Sequence, residues 1–269
     1  MSLIEIPRSP LPAPPPSLAR WMQIDPNPVG YLHSVETGAA ADGPGLRFVY
    51  FLSGCPFHCL YCHNPDTWKL ASGRSLTLDE AVAEIRPYVG FLRRAGGVTI
   101  SGGDPLVQSE FVGRLLTRLH DDLRLHTALD TQGYLGRKVS DTWLDPLDLV
   151  LLDIKHADPQ AHRRITGRPL QPTLDFAERL VRLGKEIWIR YVLVPGLTDA
   201  REDLERLAAL LAPLSSSITR LDVLPYHRMG VPKWSDLGRP YQLANVTPPT
   251  PQAVADAVAI LAAHGLPAC

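Results

Sequence analysis

Nowhere among the chain's 269 residues do ~18 apolar side chains follow one another, so no membrane-spanning helix is expected. An excess of one charge is also missing. The 27 basic and 28 acidic residues leave a net charge of −1, which argues against a nucleic-acid or anionic-membrane partner held by bulk charge. The opening segment MSLIEIPRSPLPAPPPS has neither a basic start nor an apolar core of about 7–15 residues. No secretory leader is therefore expected, and the expected location is the cytoplasm. Cysteine is scarce, at four residues, and three of these sit together as Cys55, Cys59 and Cys62, with Cys269 apart. A disulfide framework would spread its cysteines among distant loops, whereas a tight group in a cytosolic chain gathers thiolates around a metal.

Apolar residues are plentiful, at 45%, enough for a buried core in one large domain or two small ones. Proline is plentiful too, but unevenly placed: eight of the 26 prolines fall within residues 1–28. Residues 1–29 are expected to be a polyproline-like arm, either a solvated tail or a docking segment for a proline-binding partner. Residues 30–269 are expected to form the catalytic domain.

Within that domain six apolar, strand-like runs recur: Leu46–Ser53, Gly97–Ser101, Leu125–Thr131, Leu149–Lys155, Glu186–Val194 and Ile218–Tyr226. Helical signals separate them. Thr77 with Glu80 reads as a capping box, as does Asp199 with Glu202, and Thr250–Pro251 reads as an N-cap followed by proline. Phe176, Leu180 and Leu183 share one helical face, and Pro87 should interrupt the helix that starts at Thr77. Such alternation predicts an α/β fold with a parallel sheet. Six units are fewer than the eight of a closed barrel, so an open, partial TIM-like (β/α)6 barrel is expected, although periodicity alone also allows a doubly wound sheet. Every run ends in a polar or glycine cluster: SGCPFHCLYCHN, SGGDP, DTQG, DIKH, RYVLVPG and PYH. The C-terminal strand ends carry the active site in such folds, so the clusters predict an enzymatic pocket.

Three thiolates without a nearby fourth leave two readings. A 4Fe–4S cluster on Cys55, Cys59 and Cys62 would keep one iron open to a small molecule. A zinc ion would need His58, His63 or a remote Cys269 as its fourth ligand, and would belong to a zinc-stabilised interaction protein.

CPFHCLYC has the CxxxCxxC form, with an aromatic before the third cysteine, of the radical S-adenosylmethionine (radical SAM) superfamily. From about Gly30 to Pro267 the chain resembles the glycyl-radical activases of the pyruvate formate-lyase type, through DGPGLRFVYFLSGC, CLYCHNPDTW, GGVTISGGDPL, LDTQG, LVLLDIKH, WIRYVLVPG and LPYHRMGVPKW. The resemblance implies a radical SAM fold, a 4Fe–4S cluster, and SAM chelating the open iron. It implies reductive cleavage of SAM to methionine and a 5′-deoxyadenosyl radical, which takes a hydrogen atom from a glycine of a partner enzyme. It implies as partners a pyruvate formate-lyase-like glycyl-radical enzyme and an electron donor such as flavodoxin or ferredoxin. The same chemistry could instead serve another glycyl-radical enzyme or a small molecule. No cysteine-rich insert for additional clusters is present, which favours the pyruvate formate-lyase type.

The resemblance assigns SAM contact to Tyr61, Cys62 and His63 in the cluster loop and to His227 in PYH. Gly102, Gly103 and Asp104 form the turn facing the SAM amine, with Asp104 where the family carries Glu. Asp153, Ile154 and Lys155 of DIKH and Arg190 of WIRYV complete the cofactor set. Arg190 is costly to bury unpaired and should meet a carboxylate, SAM's or a neighbouring acid's. Asp130, Thr131 and Asp153 form an oxygen-rich group suited to Na⁺ or K⁺, unless the two acids only cap the next helices. Asp42 of DGPG is expected near the incoming glycine loop, with an Asx turn as the alternative.

Overall fold

The structure, a computed structural model, describes residues 25–269; positions 1–24, most of the expected proline-rich arm, lie outside the described residues. Eight strands form one sheet: β1 (Val29–Ala39), β2 (Leu46–Leu52), β3 (Arg74–Thr77), β4 (Gly96–Gly102), β5 (Thr127–Thr131), β6 (Leu149–Asp153), β7 (Glu186–Leu193) and β8 (Ile218–Pro225). Their spatial order is β3-β1-β2-β4-β5-β6-β7-β8. The six strands from β2 to β8 are the six expected runs, all parallel, and the sheet does not close.

The antiparallel edge made by β1 and β3 was not among the expected strands. Residues 34–38 of β1 are all exposed, so no apolar alternation marks the strand. The connection from β5 to β6 also departs from expectation. It holds only short 3₁₀ turns at Gly136–Lys138 and Thr142–Leu144, and buried Val139, Leu144 and Leu147 fill the place of a helix.

Eight α-helices occur among the described residues: α1 (Leu78–Ile85), α2 (Val89–Ala95), α3 (Ser109–Thr117), α4 (Pro159–Thr166), α5 (Gln171–Arg182), α6 (Arg201–Leu211), α7 (Val231–Asp236) and α8 (Pro251–Ala263). Thr77 and Glu80 form the expected capping box, Pro87 separates α1 from α2, and Thr250 Oγ1 accepts the Ala253 N–H at 3.1 Å. The capping box expected at Asp199 does not form. Ala200 takes the N-cap position of α6, and Asp199 instead accepts the Gly196 N–H at 2.7 Å, closing the preceding turn.

Side chains alternate across each strand with a period of two. Val98, Ile100, Leu129, Val150, Leu152, Ile187 and Ile189 face outward into one core with Leu115, Leu116, Phe176, Leu180 and Leu207 of the helices. The intervening positions face the concave side. Near the N-terminal ends these are apolar, with Ala128, Leu149, Leu151 and Trp188 packed together. Toward the C-terminal ends they become Ser101, Asp130, Asp153 and Arg190, which line a cavity. No helix among the described residues is long and apolar enough to cross a membrane.

Candidate active site

The cysteines stand on the loop that follows β2, and backbone bonds fix that loop on three sides. Gly54 N–H donates to Thr67 O at 2.6 Å, and Cys62 N–H donates to Cys59 O at 3.0 Å. His58 and Leu60 donate to the carbonyls of Thr166 and Ile165, each at 3.0 Å, which gives partners to the orphan acceptors at the end of α4. The Trp234 indole N–H holds Cys62 O at 3.0 Å. Under the loop, a Cβ on Gly102 would lie 2.1 Å from Leu52 O, and one on Gly103 would lie 2.4 Å from Gly54 O. Only glycine permits so close an approach of the two backbones.

Cys55, Cys59 and Cys62 line a cavity of 540 Å³ together with Asp42, Tyr61, His63, Gly102, Gly103, Asp130, Asp153, Lys155, Arg190 and His227. The fold thus brings most of the sequence-predicted residues to one chamber. Along its floor the charges answer one another. Arg190 Nη1 donates to Asp130 Oδ2 at 2.8 Å, and Asp42 Oδ1 stands 3.7 Å from the same nitrogen. Ser101 Oγ donates to Asp130 at 2.7 Å, and Lys155 Nζ meets Asp153 at 2.8 Å. The Asp130 carboxylate beside it, against the cost of burial, holds Arg190 firmly charged. Burial lowers the proton affinity of Lys155, but Asp153 and Cys59 more than reverse this. Burial raises both Asp130 and Asp42, with Arg190 opposing it in each case.

Asp42 is placed from behind. Thr99 Oγ1 donates to Asp42 O, and the fully buried Arg47 ties Thr99 Oγ1, Gly96 O, Val98 O and Pro44 O together. Asp42 therefore points its carboxylate at Arg190 from a braced loop.

Three expected residues do not reach the chamber. Asp104 is wholly buried, and its Oδ1 accepts from Leu106 N–H and Thr131 Oγ1, both at 2.9 Å. The shorter acid thus caps its own 3₁₀ turn. Burial, opposed by those bonds, pushes it up to about 7. Thr131 is drawn to Asp104 and away from the expected cation group. The Ile154 side chain lies in the core, and its N–H donates to Arg190 O at 3.1 Å. Conversely, Gln132 was missed. It lines the chamber, its Nε2 donates to Gly103 O at 2.9 Å, and its Oε1 lies 3.9 Å from Cys55 Sγ. The only signal for it was its place in the DTQG rim cluster.

The donors suit a cluster better than a lone zinc. His58 is exposed and lies against Trp68, with ring centroids 4.6 Å apart. Cys269 pairs its backbone with Leu221 and Val223 of β8 and is absent from the cavity wall, so it is not the fourth ligand. Burial pushes the Cys59 thiol up to about 12 and raises Cys55 and Cys62, so three thiolates here need a strongly electropositive group. The Trp68 indole N–H is buried without a partner and bears on the Cys62 thiol, short of a full hydrogen bond. A thiolate ligand at Cys62 would satisfy that orphan donor. Tyr61 Oη and Arg190 Nε, also in the wall and also unpartnered, await a polar ligand.

The radical SAM superfamily model matches residues 49–211, from β2 through α6. The pyruvate formate-lyase-activating enzyme of Staphylococcus epidermidis is 46% identical over 239 residues, covering 85% of this chain and 93% of that one. Its counterpart in Staphylococcus aureus (strain USA300) is 44% identical, with 84% and 92% covered. Among solved structures, a radical SAM methyltransferase from Sphaerobacter thermophilus superposes with a TM-score of 0.61 at 20% identity, over 83% of this chain and 65% of that one. A domain of pyruvate-formate lyase-activating enzyme from Bacteroides vulgatus gives 0.53 at 24% identity, over 65% and 98%. These matches set aside the zinc-stabilised interaction protein. With the thiol wall, the charged floor and this similarity along most of its length, the chain belongs to the pyruvate formate-lyase-activating enzyme family of the radical SAM superfamily.

Proposed function

We propose that this protein installs a glycyl radical on pyruvate formate-lyase. The observation that carries the proposal is the sharing of one chamber by the three thiols and the DGPG carboxylate of Asp42. When bound, a 4Fe–4S cluster with SAM supplies one-electron cleavage of a sulfonium and hence hydrogen-atom abstraction. Cys55, Cys59 and Cys62 hold the cluster. Gly102 and Gly103 let the SAM backbone groups approach closely, and Lys155, Arg190, Tyr61, His63 and His227 offer donors and ring faces around them.

Asp42 faces the partner's glycine loop. Asp42→Ala should spare SAM binding and cleavage while strongly reducing glycyl radical on the partner. A monovalent cation, Na⁺ or K⁺, completes this reading beside Asp130 and Asp153, adding to the charge balance that Arg190 and Lys155 already provide. SAM affinity should rise with either ion. The proline-rich arm stands outside the catalytic domain in this reading. The whole reading is tested by anaerobic incubation with SAM, a reductant and pyruvate formate-lyase, followed by EPR. A glycyl signal on the partner supports it, and SAM cleavage with no such signal sinks it.

A further inference from the structure

The cysteine loop has an outer side as well as a cavity side. On the outer side His58 is exposed, and its ring lies 4.6 Å from that of Trp68. The Arg239 guanidinium covers the same indole at 5.2 Å. Arg168 crosses to the loop and donates to Pro56 O at 2.8 Å, and both guanidiniums bear electrostatically on His58. Arg168 and Arg239 are exposed, and neither meets a carboxylate among the described residues. The loop's own acid, Asp66, is taken up by His33 and Lys233, at 2.8 Å and 3.0 Å. The result is a basic, aromatic patch with its positive charge uncompensated among the described residues.

Trp68 connects this patch to the chamber. Its indole lines the cavity, and its Nε1 bears on Cys62. The patch is therefore one side chain away from a cluster thiolate. His58, Arg168 and Arg239 are absent from the cavity wall that holds Asp42, so the patch does not share that wall. We propose that this face docks a small acidic one-electron carrier protein, whose electron enters through Trp68. The proposal rests on the function proposed above and names the reductant's surface. The reduced carrier loses one electron, the oxidised cluster gains it, and no proton or atom is transferred.

Charge on a docking rim acts mainly on the association rate and its salt dependence. The test uses the reconstituted holoenzyme and reads cluster reduction by stopped-flow absorbance. Reduced flavodoxin and reduced ferredoxin are tried separately, with a neutral photoreductant as reference. Arg239→Glu should slow carrier-driven reduction about threefold or more at low salt, the gap should narrow as salt is added, and the photoreductant rate should not change. Arg239→Lys should keep most of the wild-type rate, and adding Arg168→Glu to Arg239→Glu should deepen the carrier-driven loss. A loss with only one carrier identifies that carrier as the occupant. Equal carrier-driven rates in wild type and Arg239→Glu at low salt would overturn the proposal, as would an equal fall with the photoreductant. Glycyl-radical yield under the photoreductant reports on the function itself, so failure of the docking face and failure of the activase reading are distinguishable.

Discussion

The floor and the wall of the chamber differ in how far each is complete. On the floor, Asp130, Asp42 and Asp153 already have Arg190 and Lys155 within 2.8–3.7 Å, so all but one of the negative charges there are balanced by the protein alone. On the wall, burial disfavours the thiolate at Cys55, Cys59 and Cys62, and the Trp68 indole N–H has no partner. Completeness marks what the fold supports by itself, and unmet demand opening on the cavity marks what a cofactor must supply. Asp104 is the control: its Oδ2 is also buried and unpartnered, but it lies outside the cavity wall, and burial favours a proton there.

The comparison breaks most decisively at the wall. Cys55→Ala, Cys59→Ala or Cys62→Ala should abolish the intact cluster, whereas Cys269→Ala should keep about four irons per chain, the content of a 4Fe–4S centre. Iron and sulfide analysis after anaerobic reconstitution decides this, and loss of the cluster in the Cys269 variant would overturn the three-ligand wall.

On the floor, Arg190→Met leaves Asp130 and Asp42 without their cation. It should cost about 3–5 kcal/mol of stability, since breaking a buried pair leaves an uncompensated charge. Denaturant unfolding of the cluster-free protein measures it, and a cost near zero would mean that the floor is not self-supporting.

Asp104 sharpens the distinction through pH. Burial raises its pKa in the folded state to about 7 from the ordinary 3.8, so the folded chain binds more proton than the unfolded one between those values. Its contribution to stability is thus fully present below the unfolded value and lost as pH rises through about 7. Asp104→Asn keeps an acceptor for Leu106 and Thr131 and cannot ionise. Its stability relative to wild type should therefore climb across that window and level off above it. A pH-independent difference would contradict the assignment.

The smallest effect concerns Trp68→Phe, which keeps an aromatic ring between His58 and Trp234 but removes the orphan N–H. The cluster-free protein should change by no more than about 1 kcal/mol. The reconstituted cluster should be harder to reduce, because hydrogen bonds to cluster sulfurs tune its potential. Redox titration followed by EPR checks the shift.

The wall was far more legible in the sequence than the floor's partners. Cys55, Cys59 and Cys62 announce themselves by spacing, and the alternation in WIRYV put Arg190 on the face where it is found. What could not be read was choice among equals. Asp104 and Thr131 stand in rim clusters as suggestive as those of Asp130 and Asp153, yet one shorter side chain turns the pair inward onto each other. Gln132 carries no charge or metal preference to flag it, and its role follows only from Gly103 O and Cys55 lying within reach. The edge strand β1 was hidden for another reason: with five consecutive exposed residues, its identity comes from pairing with β2 and β3.

The central claim, that the completed wall takes a hydrogen atom from a glycine of pyruvate formate-lyase, is tested most directly by isotope transfer. The partner is prepared with deuterated glycine and activated anaerobically with SAM and a chemical reductant, and the 5′-deoxyadenosine formed is analysed by mass spectrometry. The account predicts one deuterium in that product for each glycyl radical counted by EPR. Unlabelled 5′-deoxyadenosine, with the partner's glycine intact, would contradict it.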